Sequence, residues 1–311
     1  MDFQFSSLDS FEKAFPTEEA CVAYFAAKRW GSNGPVVCPY CECDKCYTLK
    51  GKVKRFKCSV CKTLFSVKVG SIFEDSNLPL RVWFRAIYFA TNSKGVSSVT
   101  LGKFLGRPQK TAWHILTKIR VMLAEVAPAM LDGEVEVDET FHGGLSRNKH
   151  AKKRTARAGY GDDKATILGL VQRGGKAIIQ PVADRSKAVL QPIMREHVVP
   201  GATVYTDEHK SYVTLRDAYD HQCVHHGKGE YVRVSEHGTK AHTNTIEGAW
   251  ASFKRTMVGT YHYASRKHLS KYCVEVAYRY NFRKDTIQQR FDEALVRSKG
   301  RTITYKEIIA G

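Results

Sequence analysis

The sequence predicts an α/β domain preceded by a zinc ribbon and a helical, helix-turn-helix-like region. Three observations carry this. Two Cys-x-x-Cys pairs, Cys38/Cys41 and Cys58/Cys61, stand near the N-terminus with sixteen residues between them. Between residues 71 and 130, apolar residues recur at helical spacing. From 131 onward, β-branched runs alternate with helical stretches, organised around Val135-Glu136-Val137-Asp138-Glu139-Thr140. The chain therefore divides into an N-terminal helix and zinc ribbon (1–70), a helical DNA-binding region (71–130) and an α/β domain (131–311).

Composition narrows the partner. The 311 residues suffice for two or three domains. Lys plus Arg total 49 against 31 Asp plus Glu, a formal net charge of +18. Such an excess points to a polyanion, with nucleic acid ahead of an acidic membrane because no amphipathic basic anchor stands out. No apolar run reaches the roughly 18 residues of a membrane span, and the N-terminus lacks the layout of a signal peptide. The expected location is cytoplasmic, on the nucleoid if the source is a bacterium. Nine cysteines are an odd number for disulfides, and six crowd between Cys38 and Cys61. In a reducing compartment that asymmetry reads as a metal site.

The elements follow in order. Thr17-Glu18-Glu19 is an acidic helix start within residues 1 to about 30. Each Cys-x-x-Cys turn offers two thiolates, and the four together suit tetrahedral Zn²⁺, with the intervening residues forming a hairpin. Cys43 and Cys46 are an overlapping pair, but symmetric pairing prefers the outer four. Lys50, Lys52, Lys54, Arg55 and Lys57 suit phosphate contact, although many ribbons only stabilise a small domain. Next, Ser97-Ser98 caps a short helix, Gly106-Arg107 makes a turn, and Pro108 opens a longer helix with Ala112, Ile115, Leu116, Ile119 and Leu123 inward. That is a helix-turn-helix pattern, with Gln109, Lys110, Trp113, His114 and Lys118 on its open side. A helical hairpin that only packs gives the same pattern.

In the third region Val135 and Val137 share one strand face and Glu136 and Asp138 the other, ending at Gly143-Gly144. Residues 147–157 hold six Lys/Arg and no acid. This basic loop, with Lys149, Lys152, Lys153, Arg154 and Arg157, is either simply solvated or a holder of DNA phosphates. Residues 166–171 and 176–182 form a hairpin closed by Gly174-Gly175, and 187–197 a helix. Thr203-Val204-Tyr205-Thr206 is a buried strand running into Asp207, with a helix from Ser211 to Tyr219. His242-Thr243-Asn244 opens another helix. Three strands, a helix, a strand carrying an acid, then a helix carrying an acid or amide is the order of an RNase H-like fold.

Hard divalent ions take oxygen ligands, and a pair of them drives phosphoryl transfer with little covalent help from protein. One Asp at a strand end is commonly a solvated turn residue. Asp138 and Asp207 at two strand ends of a basic chain are natural ligands for Mg²⁺ or Mn²⁺. The third ligand is open: Asn244 and Glu247 are i and i+3 on one helix. Glu247 brings charge, Asn244 only a carbonyl oxygen. Lys254 lies two turns past Glu247, suited to a substrate phosphate, and His242 either reaches the site or is a loop histidine.

These segments together resemble insertion-sequence DDE transposases with an N-terminal zinc ribbon, related to the Merlin transposons. The matching pieces are Cys-Pro-Tyr-Cys at 38–41, Val-Asp-Glu-Thr-Phe-His-Gly-Gly at 137–144, Tyr-Thr-Asp-Glu-His-Lys-Ser-Tyr at 205–212, residues 242–255, and Tyr278-Arg279-Tyr280-Asn281. The resemblance implies Mg²⁺-dependent cleavage and strand transfer of an insertion element. It further implies binding to the element's terminal inverted repeats and to target double-stranded DNA, and a homodimer or higher homo-oligomer. It maps Asp138, Asp207 and Asn244 onto the family's triad, with Lys254 as the trailing base and Glu247 able to substitute. Two rivals remain: a structure-specific nuclease of the same fold, and a transposase-derived DNA-binding regulator without catalysis.

Overall fold

A computed structural model describes residues 3–310 except 33, 50, 52–54, 93, 145–149, 151–163, 225–232 and 235–239. The chain forms two compact units: Met1–Ala124 with Phe282–Gly311, and Glu125–Asn281.

The first unit opens with α1 (Leu8–Ala14) and α2 (Glu18–Trp30), capped by Ser7 and Thr17 as their side-chain oxygens demand. Strands β1 (Cys46–Leu49), β2 (Arg55–Cys58) and β3 (Leu64–Ser66) then make a three-stranded antiparallel ribbon, one strand more than a hairpin. Its inner face carries Phe56 and Phe65, and Trp30 meets Phe56 edge-on at 5.3 Å. Helix α3 (Leu80–Asn92) buries Trp83, Phe84 and Ile87, and Glu18 caps it by accepting from the Leu80 and Arg81 N–H groups at 2.7 and 2.9 Å.

Helix α4 (Ser98–Leu105) ends at Gly106, whose left-handed backbone (φ 60°, ψ 41°) suits glycine. Pro108 then leads into α5 (Gln109–Leu123). Gly102 allows the close turn, because a Cβ there would lie 2.8 Å from the Arg107 carbonyl. The open side of α5 is narrower than the sequence suggests. Gln109 and Lys110 are exposed, but Lys118 is buried and donates to the Ile72 carbonyl at 3.2 Å. Its apolar stem packs inward while the ammonium group meets that carbonyl.

The second unit is built on a five-stranded sheet. Strands β4 (Glu134–His142), β5 (Ala165–Gln172) and β6 (Ala177–Val182) run antiparallel in succession. Helix α6 (Lys187–His197) leads to β7 (Thr203–Thr206), which pairs parallel with β4, and β8 (Asp220–Cys223) pairs parallel with β7. The spatial order is β6-β5-β4-β7-β8. The expected helix from Ser211 to Tyr219 is instead two short 3-10 turns, Lys210–Tyr212 and Leu215–Asp217, and β8 follows where no strand was foreseen. Strand β8 is short and polar, so its periodicity gives little signal. Strands β9 (Arg233–Val234) and β10 (Lys240–Ala241) form a minimal hairpin before α7 (Asn244–Thr256) and α8 (Leu269–Asn281).

Alternation along the strands sorts two cores. Val135, Val137, Leu168, Leu170 and Val204 meet Leu190 and Met194 of α6 on one sheet face. Ile167, Val171 and Ile179 meet Ile246, Trp250 and Phe253 of α7 and Leu269 of α8 on the other. On that second face β4 presents Glu136 and Asp138 in place of valines. Asn281 closes the β6 edge, its side-chain amide pairing with the Ala177 N–H at 2.7 Å and carbonyl at 3.1 Å.

The chain then returns to the first unit through α9 (Ile287–Val296) and α10 (Tyr305–Ala310). Phe291 of α9 is fully buried within 6 Å of Phe5, Phe11, Phe15 and Phe84, ring centre to ring centre. The α/β unit therefore ends at Asn281, where the sequence reading carried it on to 311.

Candidate functional site

Strand register brings the two acids together. Glu136 lies opposite Tyr205 in the parallel β4–β7 pair, and two residues further along both chains stand Asp138 and Asp207. Neighbouring strands lie about 4.8 Å apart, so Asp138, which stands in the middle of β4 and not at the strand end the sequence suggested, lies beside Asp207 just past the end of β7. Burial is the main cause that lifts the Asp138 carboxyl from 3.8 to about 6, and the charges of Glu139 and Asp207 add to it. Repulsion of this kind is what a bound divalent cation relieves, so the pair fits Mg²⁺.

Asp138 is held by Trp250, whose indole N–H donates to Oδ2 at 2.9 Å. The indole can lie there because the residue opposite Asp138 in β5 is Gly169. A Cβ on Gly169 would stand 2.6 and 2.7 Å from Trp250 Cζ2 and Cη2. Asp207 is anchored differently, its Oδ1 accepting from the His209 N–H at 3.0 Å. The segment beyond it is tied to β4 by Glu139, which accepts from the Tyr212 hydroxyl and from Arg185 Nε, the latter at 3.1 Å. Burial raises the Glu139 carboxyl and drives the Tyr212 phenol well above its usual range.

Helix α7 is fixed to the sheet by Glu136. Its carboxylate, fully buried, accepts from the Ile246 N–H at 2.8 Å and from Arg173 Nε at 2.7 Å. An anion at a helix N-terminus satisfies amides that have no partner within the helix. Arg173 also binds Glu134 at 2.7 Å and the His242 carbonyl at 2.9 Å, and lies over the Tyr205 ring at 3.9 Å. One guanidinium thus joins β5, β4, β7 and the entry to α7.

Asn244 is the first residue of α7 and exposed, as are Glu247 one turn on and Lys254 near the helix end. Glu247 accepts from the Thr243 hydroxyl at 3.2 Å. His242 turns to Glu136, Nδ1 to Oε1 at 3.3 Å, and not to Asp138. Among the described residues Glu247 forms no compact three-carboxylate group with the two aspartates. Among them, a compact group able to hold a metal is formed by Cys38, Cys41, Cys58 and Cys61, with sulfurs within 4.8 Å of one another. The Cys38–Cys61 and Cys41–Cys58 sulfur separations are 3.7 and 3.5 Å. Tetrahedral Zn–S bonds of about 2.3 Å set sulfurs about 3.8 Å apart, so the four fit Zn²⁺. Burial opposes ionisation of Cys58, but the N–H groups of Cys61 and Val60 outweigh it and lower that thiol to about 6. A thiol already inclined to ionise is ready to ligate.

In the first unit Lys110 is exposed, whereas His114 is half-buried beside Tyr305 of α10 and its pKa is lowered by that burial. Lys149, Lys152, Lys153, Arg154 and Arg157 of the basic loop lie outside the described residues, as do Lys50, Lys52 and Lys54. Sequence reasoning missed Glu136, Glu139, Gly169, Arg173, Tyr212 and Trp250. Two had a readable signal: Glu136 shares Asp138's face, and Gly169 interrupts an otherwise apolar strand.

A four-cysteine ribbon followed by an α/β domain with two aspartates on neighbouring strands points to the class, and comparison names it: the chain belongs to the insertion-sequence transposases. Two family models match in tandem, a transposase zinc-ribbon domain at residues 16–63 and an ISXO2-like transposase domain at 130–281. An uncharacterized protein in transposable element ISH50 of Halobacterium salinarum is 28% identical over 273 residues, covering 84% of this chain and 90% of that relative.

Proposed function

We propose that this chain is a catalytically active DNA transposase that cleaves its element's ends and joins them to target DNA. The parallel register that sets Asp138 beside Asp207, with Trp250 holding one oxygen of the first, is the observation that carries the reading. The strand order β6-β5-β4-β7-β8, three antiparallel strands followed by two parallel ones, supports an RNase H-like fold for the domain. When bound, a pair of Mg²⁺ or Mn²⁺ ions supplies activation of the attacking oxygen and charge relief at the leaving one.

The residues of the chain then have distinct tasks. Asp138, midway along β4, and Asp207, just past the end of β7, would hold the ions. Trp250, donating to Oδ2 of Asp138, fixes the orientation of that carboxylate. The first turn of α7 provides the third ligand, Asn244 or Glu247, and Glu136 sets where that turn stands. Lys254 meets a phosphate of the substrate strand. The ribbon's Zn²⁺ is structural, and the ribbon with α4 and α5 binds terminal repeats, Lys110 and His114 included. The +18 charge favours the polyanion throughout. Two copies, one per element end, form the working assembly.

The test is cleavage and strand transfer on a labelled duplex carrying the repeats that flank the gene, with Mg²⁺. Asp138→Ala and Asp207→Ala abolish both steps. Of Asn244→Ala and Glu247→Ala, the one that loses activity identifies the third ligand. Full activity in Asp138→Ala refutes the reading.

A further inference from the structure

The ribbon has an open face of defined composition. In the β1–β2–β3 register, Tyr47 lies opposite Lys57 and Lys57 opposite Leu64, while Leu49 lies opposite Arg55 and Arg55 opposite Ser66. Residues directly paired across strands share a face. Phe56 and Phe65 are buried on the other side, so these two rows point away from the packed core. Tyr47 is 62% exposed, Leu64 52% and Leu49 38%, and Arg55 and Lys57 are exposed on the central strand.

We propose that this face seats in a groove of the element-end duplex, with Arg55 and Lys57 reading base edges. This rests on the transposase reading above and adds the surface and the mode. The arrangement is the inverse of a protein–protein contact, whose centre is apolar and whose charges sit at the rim. Here the two cations occupy the middle strand and the apolar side chains the edge strands. A second copy of a chain with net charge +18 would meet those cations with like charge. A polyanionic groove lined with base acceptors meets them with opposite charge. The dimensions agree: outer strands of a three-stranded sheet lie about 10 Å apart, against a major groove about 12 Å wide. Residues i and i+2 of a strand are about 7 Å apart, two base-pair steps, so Arg55 and Lys57 face alternate pairs. Arginine and lysine pair with guanine acceptors, and Tyr47, Leu49 and Leu64 offer apolar contact to thymine methyls.

The experiment measures anisotropy of labelled duplexes, one carrying the terminal repeat and one of shuffled sequence, across a salt series. The full chain is used with zinc content and melting temperature checked for each variant. Arg55→Ala and Lys57→Ala each lower affinity for the repeat about fivefold or more and reduce its preference over the shuffled duplex. Arg55→Lys keeps the charge, so binding to the shuffled duplex persists while the preference falls. Tyr47→Ala weakens repeat binding, and Lys13→Ala, removing an exposed cation elsewhere, leaves the preference intact. Wild type that binds the repeat while the Arg55→Ala/Lys57→Ala double variant binds it equally overturns this assignment alone. Wild type with no affinity for the repeat overturns both readings. Unchanged DNA binding with lost self-association in sedimentation assigns the face to a second copy and also overturns the proposal.

Discussion

Replacing Gly169 with alanine adds one methyl group at the point where sheet and helix meet. That Cβ would stand 2.6 Å from Trp250 Cζ2, 2.7 Å from Cη2 and 3.1 Å from Ile246 Cδ1. The first two atoms belong to a rigid ring, so the indole must retreat by about 1 Å to restore ordinary van der Waals contact. Its N–H now donates to Asp138 at 2.9 Å, and such a retreat carries it beyond hydrogen-bond reach. Overpacking costs about 1–3 kcal/mol, and the lost bond to a carboxylate about 1.5–3 kcal/mol. A combined loss near 3–5 kcal/mol lowers the midpoint of a unit this size by about 6–20 °C. The assay is calorimetric melting with Mn²⁺ binding by electron paramagnetic resonance, in Gly169→Ala, Trp250→Phe and the double variant. In the double variant the smaller ring leaves room for the methyl, so the two losses fall short of additivity by about 1 kcal/mol or more. Wild-type melting and Mn²⁺ affinity in Gly169→Ala would refute the argument.

Burial holds the Asp138 carboxyl near 6, above its ordinary 3.8, so without metal the folded unit loses stability as pH rises from about 4 to about 6. Metal binding requires the ionised form, so Mn²⁺ affinity, followed by titration, should fall about tenfold per pH unit below 6. Removing the Glu136 carboxylate with Glu136→Ala strips the Ile246 N–H and Arg173 of a buried partner. Urea unfolding should register a loss of about 3 kcal/mol. Cys58→Ser, or a strong chelator, should take bound zinc below one equivalent by elemental analysis and expose the ribbon to protease, because its three short strands bury little beyond Phe56 and Phe65.

Local chemistry was legible in the sequence where spacing alone implies geometry. The four zinc-binding cysteines, the span of α6, the β5–β6 hairpin and the start of α7 at Asn244 all follow from patterns confined to a few residues. The partnership of Asp138 with Asp207 was legible only as an expectation, since register between distant strands is set by the whole sheet. Residues that hold the site in place were harder to see. Glu136 reads like any strand acid until α7 docks its amides on it. Lys118 reads as a surface cation because helical phase does not reveal that the Ile72 carbonyl lies waiting beneath it. Strand β8, with Asp220, His221 and Gln222, has no apolar alternation, and only pairing with β7 makes it a strand. The return of the last segment to the first unit is equally invisible, because no local pattern in α9 says which core Phe291 will enter.

That return of Phe291 has a genetic consequence. The thirty residues from Phe282 onward are translated after every acid of the proposed metal site, yet they supply the middle ring of the N-terminal aromatic core. A stop codon just after Asn281 would spare the α/β unit and strip its companion of a keystone. Damage to the last tenth of the gene is thus expected to appear first as a failure at the opposite end of the polypeptide.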